Sequence, residues 1–225
     1  MSLHKSLGIA KNARIGILGG SFNPPHYGHI GISEQALKLL PIDYVIWLVA
    51  PQNPMKSGQE LRPFEMRYQL CKRMLFDRND IIVSDFEKSV PVDDNITFNS
   101  LTKLQQECPE ASLIWLMGAD NLMHFHEWGH WKEIISMMPV AVLARDNYIP
   151  KLKNCEVYKF AKNFKITEHE VDEIRSGEVK FLAIDNFDIS STEIRKKHMQ
   201  YTEAVDKHFS ASLKEFVVES LEEDK

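Results

Sequence analysis

His26 and His29 stand three residues apart at the end of Gly19-Gly20-Ser21-Phe22-Asn23-Pro24-Pro25-His26-Tyr27-Gly28-His29. Two imidazoles at that spacing can converge on one point if a helix opens there, next to N–H groups and a dipole end that already favour an anion. A phosphate is the natural occupant. Glycines at 19 and 20 let a backbone approach it without a Cβ, and the prolines stiffen the turn. The apolar run at residues 15–18 reads as a strand leading in, and Ile30, Ala36, Leu37 and Leu40 give the periodicity of a helix leading out. On a local reading alone, the same residues also make an ordinary strand-to-helix turn with cap histidines.

Further candidates follow other strand-like runs. After residues 44–49 comes Pro51-Gln52-Asn53-Pro54-Met55-Lys56, with Arg67 in the next helix; Lys56 is a mobile point charge and Arg67 a fixed fork of donors. After residues 113–117 comes Gly118-Ala119-Asp120-Asn121, where Asp120 can cap a helix or accept from a ligand hydroxyl. Residues 188–195, Asp188-Ile189-Ser190-Ser191-Thr192-Glu193-Ile194-Arg195, have the form of a capping box, with Ser190 and Glu193 in the paired positions. A helix start of hydroxyls and open N–H groups, with an arginine one turn in, also suits a polyphosphate. His126-Glu127-Trp128-Gly129-His130 formally matches H-E-x-x-H, but Gly129 weakens the helix such a zinc site needs and no third ligand follows.

The elements that must position these residues alternate in type. Strands are expected at 15–18, 44–49, 81–84, 113–117, 140–143 and 179–184, and helices at 29–40, 63–76, 99–106, 121–125, 131–137, 191–197 and 205–221. That order predicts an α/β fold: a doubly wound parallel sheet of about six strands with crossover helices. Residues 151–177 are charged and weakly periodic and are expected to be a solvent-exposed excursion. The 225 residues fit one domain, with its core at about 15–198 and a C-terminal helix at about 205–221.

Composition sets limits on function. The formal charge is −5, which has the wrong sign for a nucleic-acid coat. No apolar run reaches transmembrane length and no signal peptide is evident, so a cytoplasmic protein without membrane attachment is expected. Cys71, Cys108 and Cys155 are odd in number and scattered, which argues for reduced thiols rather than a disulfide framework.

In the order found here, these motifs resemble the H-x-G-H nucleotidyltransferases. The phrase G-G-S-F-N-P-P-H-x-G-H is similar to that of the nicotinate-nucleotide adenylyltransferases in particular. The resemblance covers residues 15–198 and includes P-x-N-P-x-K, G-A-D-N-L, F-x-x-W and I-S-S-T-x-I-R. It implies a Rossmann-like fold and adenylyl transfer from ATP, accompanied by Mg²⁺, to nicotinate mononucleotide. It also implies roles. His26, His29, Lys56 and Arg195 would be catalytic. Gly19, Gly20, Ser21, Phe22, Gly118, Asp120, Ile189, Ser190, Ser191, Thr192 and Arg195 would hold ATP. Asn53, Lys56, Arg67, Thr97, Trp128 and Arg145 would hold the acceptor. Two positions depart from the family pattern: Ile96 stands where tyrosine is frequent, and Arg145-Asp146-Asn147 replaces R-P-G. Phosphopantetheine adenylyltransferase shares two of the motifs, and a non-catalytic nucleotide sensor could use the same fold. Self-association is left open.

Overall fold

The computed structural model describes residues 7–51, 61–92, 96–144, 155–161, 163–167, 169–184 and 191. The strands are β1 (Arg14–Gly20), β2 (Tyr44–Val49), β3 (Ile81–Ser84), β4 (Ser112–Gly118), β5 (Val140–Ala144), β6 (Asn163–Thr167) and β7 (Glu178–Ala183). The helices are α1 (Tyr27–Leu39), α2 (Phe64–Met74), α3 (Ile96–Glu107), α4 (Ala119–His124), α5 (Trp131–Met137) and α6 (Glu156–Phe160). All strands run parallel, in the order β3-β2-β1-β4-β5-β7-β6. Among the described residues the sheet has seven strands where about six were expected, and the addition lies within residues 151–177. Asn163–Thr167 is a short edge strand paired in parallel with β7, not a loop. The C-terminal helices expected at 191–197 and 205–221 lie outside the described residues, apart from Ser191.

A parallel sheet between helix layers must be apolar on both faces, and the strands are. Val45, Ile46, Trp47, Leu48 and Val49 are all buried. Ile15 and Ile17 of β1 face a core completed by Leu101 and Leu104 of α3, Leu122 of α4 and Ile134 and Ile135 of α5. Leu18 faces the opposite core, with Ala36 and Leu39 of α1 and Cys71 of α2. The chain therefore winds β1-α1-β2-α2-β3 toward one edge, then returns through α3 to lay β4 on the other side of β1. The reversal opens a crevice at the carboxyl ends of β1 and β4, where doubly wound sheets bind ligands.

Packing at that crevice explains one of the two loop glycines differently from the sequence reading. A Cβ on Gly19 would lie 2.4 Å from Cη2 of Trp115, a rigid ring on β4 that is 2% exposed. Gly19 is thus required by the core beneath it. At Gly20 the nearest atom, on the Phe22 ring, would be 3.3 Å away, a tight but tolerable approach. Gly19→Ala is expected to destabilise the fold by about 1–3 kcal/mol through overpacking. Equilibrium denaturation checks this; unchanged stability would return Gly19 to a purely ligand-facing role.

Candidate functional site

The loop from Gly19 to His29 ends in a helix cap made by two histidines. His26 is the N-cap of α1, and its Nδ1 accepts from the Gly28 N–H at 3.1 Å. His29, at the third helical position, accepts from the His26 N–H through its own Nδ1, also at 3.1 Å. This is the reciprocal geometry of a capping box, built from imidazoles. An accepting Nδ1 carries no proton, so each neutral ring bears its hydrogen on Nε2. The rings lie 3.9 Å apart between centroids and 36° from coplanar. Burial, and secondly the neighbouring His29, hold the His26 pKa well below the ordinary histidine value. The expected convergence of the two imidazoles is therefore present, at a helix that starts two residues earlier than the sequence suggested.

The loop before the cap is fixed from several sides. Phe22 sits at φ 46°, in the left-handed region that a bulky residue adopts only under surrounding constraint. Its ring is stacked on Trp47 of β2 at 4.8 Å and tilted against His29 at 4.7 Å. Asn23, which precedes a cis peptide bond to Pro24, accepts from the Arg62 N–H through Oδ1 at 3.3 Å. Ser191 donates from Oγ to the Pro24 carbonyl at 2.9 Å, which places Ser191 against the first motif across 167 residues of sequence.

Arg67 corrects the sequence reading. It is fully buried in α2, and its guanidinium is bonded to main-chain carbonyls. Nε donates to Arg62 O at 2.9 Å, Nη1 to Ser21 O at 2.5 Å and Ala50 O at 2.8 Å, and Nη2 to Pro51 O at 2.9 Å. A fork expected to face the acceptor instead ties the loop after β1 to the loop after β2. The local sequence could not show this, because all four acceptors are backbone atoms that leave no residue-type signal.

On the other side of the crevice, Asp120 does not cap α4. Gly118 is the N-cap without a side-chain bond, and Asp120 lies in the first turn, exposed, with its carboxylate folded back so that a Cβ on Gly118 would meet Oδ1 at 2.6 Å. Thr97 is half-buried in the first turn of α3. Trp128 is half-buried after the Phe125–Glu127 turn, edge-on to Phe125 at 5.2 Å. Phe98, next to Thr97, stacks on His130, two residues after Trp128, at 4.5 Å, a link that the sequence did not suggest. His130, at φ 58°, is the N-cap residue before α5, whereas His126 lies in the preceding 3-10 turn. The H-E-x-x-H residues thus do not share a helix face. Asn53, Lys56, Arg145, Ile189, Ser190, Thr192 and Arg195 lie outside the described residues.

The carbonyl clamp makes a prediction. A lysine at 67 cannot reach four acceptors, so Arg67→Lys should lower unfolding free energy by about 3 kcal/mol, the cost of buried groups left unpaired. Denaturation midpoints and KM for both substrates would be measured together. Full stability with a raised KM for the acceptor alone would restore the direct-contact role.

With this geometry in view, likeness to known proteins is informative. The cytidylyltransferase-like family model matches residues 17–197, which include both histidines and the 188–195 segment. A probable nicotinate-nucleotide adenylyltransferase of Agrobacterium fabrum is 45% identical over 131 residues, covering 58% of this chain and 68% of the relative. One of Ruegeria sp. is 37% identical over 187 residues, covering 81% of this chain and 96% of the relative. In fold, the chain is similar to the Plasmodium falciparum nicotinic acid mononucleotide adenylyltransferase complexed with NaAD. The TM-score is 0.67 and the identity 16%, over 92% of this chain and 96% of that one. The chain belongs to the cytidylyltransferase-like nucleotidyltransferases and, within them, to the nicotinate-nucleotide adenylyltransferase family.

Proposed function

We propose that this protein transfers the adenylyl group of ATP to nicotinate mononucleotide, giving deamido-NAD and pyrophosphate, a step of NAD biosynthesis. The observation that carries the reading is the paired-histidine cap at the switch point, with Ser191 bonded to the Pro24 carbonyl of the same loop. Relatives at 37–45% identity carry the same activity in their names.

The acceptor's phosphate oxygen attacks the α-phosphorus of ATP in line. One P–O bond forms as the α–β bridge breaks, and the electron pair leaves with pyrophosphate. A phosphate monoester is already anionic at neutral pH, so no general base is needed. Catalysis reduces to placing two anions together and stabilising the charge that builds on the α-phosphate and leaving group. The Nε2–H groups of His26 and His29 are suited to that as neutral donors. Backbone N–H groups at residues 20–22 and at Ser191 and Thr192 support the phosphates. Lys56 and Arg195 neutralise the rest.

Magnesium enters as part of the ATP substrate. On the acceptor side, Thr97, Asn53, Trp128 and Arg145 hold nicotinate mononucleotide, and Trp128 offers an aromatic face to the pyridine ring. Arg67 acts there only by shaping the loops. The protein works as a cytoplasmic enzyme on small substrates.

Pyrophosphate release with ATP plus nicotinate mononucleotide, nicotinamide mononucleotide or phosphopantetheine tests the assignment. The acid is expected to react far faster than the other two, and preference for phosphopantetheine or no turnover would overturn it. In the same assay, Trp128→Ala should raise KM for nicotinate mononucleotide about ten- to a hundredfold, the worth of one stacking contact, with KM for ATP nearly constant. Equal changes in both would leave Trp128 a packing role.

A further inference from the structure

Trp47 and Ser33 are both completely buried, and each carries a polar atom that a simpler core would lack. Phenylalanine would supply an aromatic ring at 47 without an N–H, and alanine would fill a helical site at 33 with better helix propensity. Instead Trp47 Nε1 donates to Ser33 Oγ at 2.8 Å, and Ser33 Oγ donates to the His29 carbonyl at 2.8 Å. The serine hydroxyl uses its donor and an acceptor site together, so neither buried polar atom is orphaned. This chain of bonds ends on His29, whose imidazole belongs to the cap.

Trp47 also meets His29 through its ring. The indole lies edge-on to the imidazole at 5.7 Å and 60°, and it stacks on Phe22, which is itself tilted against the imidazole at 4.7 Å. In the sheet, Trp47 pairs with Leu18, directly before the Gly19–Gly20 end of β1. The tryptophan thus touches the backbone of His29 through Ser33, its ring directly, and the strained residue beside it. A serine bonding back to the fourth residue before it also adjusts the local path of a helix. Here that adjustment falls on the first turn of α1.

We propose that Trp47, acting through Ser33 and Phe22, is a positioning residue for His29 that sets the height and orientation of its imidazole toward the reacting phosphate. The proposal rests on the adenylyl-transfer reading of the site. Misplacing a transition-state donor by a fraction of an ångström lowers turnover while leaving ground-state binding largely intact.

The test is a double-mutant cycle in the adenylyl-transfer assay with Trp47→Phe, His29→Ala and the double variant, each checked for folding by thermal denaturation. Trp47→Phe should lower kcat about tenfold and move KM for ATP and for nicotinate mononucleotide by less than about twofold. In the His29→Ala background it should cost almost nothing further, because the group it positions is gone. Ser33→Ala, which removes the hydroxyl and leaves the ring contacts, should give a smaller kcat loss with the same dependence on His29, and serves if Trp47→Phe does not fold. An equal loss with and without His29, or a loss seen in KM, would overturn the positioning role while adenylyl transfer stands. If His29→Ala itself turned over like the wild type, both this proposal and the catalytic role of His29 would fall.

Discussion

The first turn of a helix leaves N–H groups that must find acceptors, and in α1 two imidazole nitrogens provide them. That bond pair has a chemical consequence beyond capping. A histidine that accepts at Nδ1 cannot be protonated there without losing the bond, so the cap selects the Nε2–H tautomer in both rings and opposes their protonation. The low pKa of His26 agrees with this in direction. Catalysis by such a pair would come from Nε2–H dipoles held in place, not from an imidazolium charge or proton shuttling. This suits a reaction whose nucleophile arrives already ionised.

Everything around the cap limits its motion. The reversal of strand order between β1 and β4 brings the loop after β1 to the rim of the sheet. Trp115 presses from below at Gly19, and Phe22, Trp47 and Ser33 hold the side toward the β2 core. Arg67 joins Ser21 to Ala50 and Pro51 through one buried guanidinium. A buried cation surrounded by carbonyls has a large desolvation cost unless every acceptor stays in place, which makes the arrangement cooperative. The loop after β1 is therefore held by the same contacts that pack the core beneath it.

The parts legible in sequence were those that repeat or punctuate. The apolar runs at 44–49 and 81–84 coincide with β2 and β3, since uninterrupted apolar stretches have few other destinations in a parallel sheet. Asn163–Thr167 was missed because five residues among charged neighbours give a weak period, although Phe164 and Ile166 do alternate with polar positions. His26, His29 and Ser191, which the fold brings to one loop, could be singled out as candidates by type and order. Arg67 was identifiable as important but not in its role, because carbonyl partners have no letter in the sequence. Ser33 and Trp47 looked like ordinary helix and strand residues. Only the fold brings an indole N–H, a hydroxyl and the His29 carbonyl into one line.

Global stability against pH would not isolate the cap. A depressed His26 pKa means that its contribution is present above about pH 6.5 and is lost as pH falls below it, because the unfolded chain takes up the proton first. Glu87 acts oppositely over an adjoining range. Burial pushes its carboxyl up to about 7, with the Ser100 hydroxyl a smaller opposing influence, so its effect favours the folded state toward acid and weakens it as pH rises to 7. A residue-specific signal avoids the overlap. The ¹⁵N shifts of the His26 and His29 rings in the free protein, followed from pH 8 to pH 5, report tautomer and charge directly. The account predicts neutral rings with the proton on Nε2 at pH 7, and His26 still neutral well below the ordinary histidine range. Rings protonated on Nδ1, or His26 titrating near pH 6.5 or above, would contradict it.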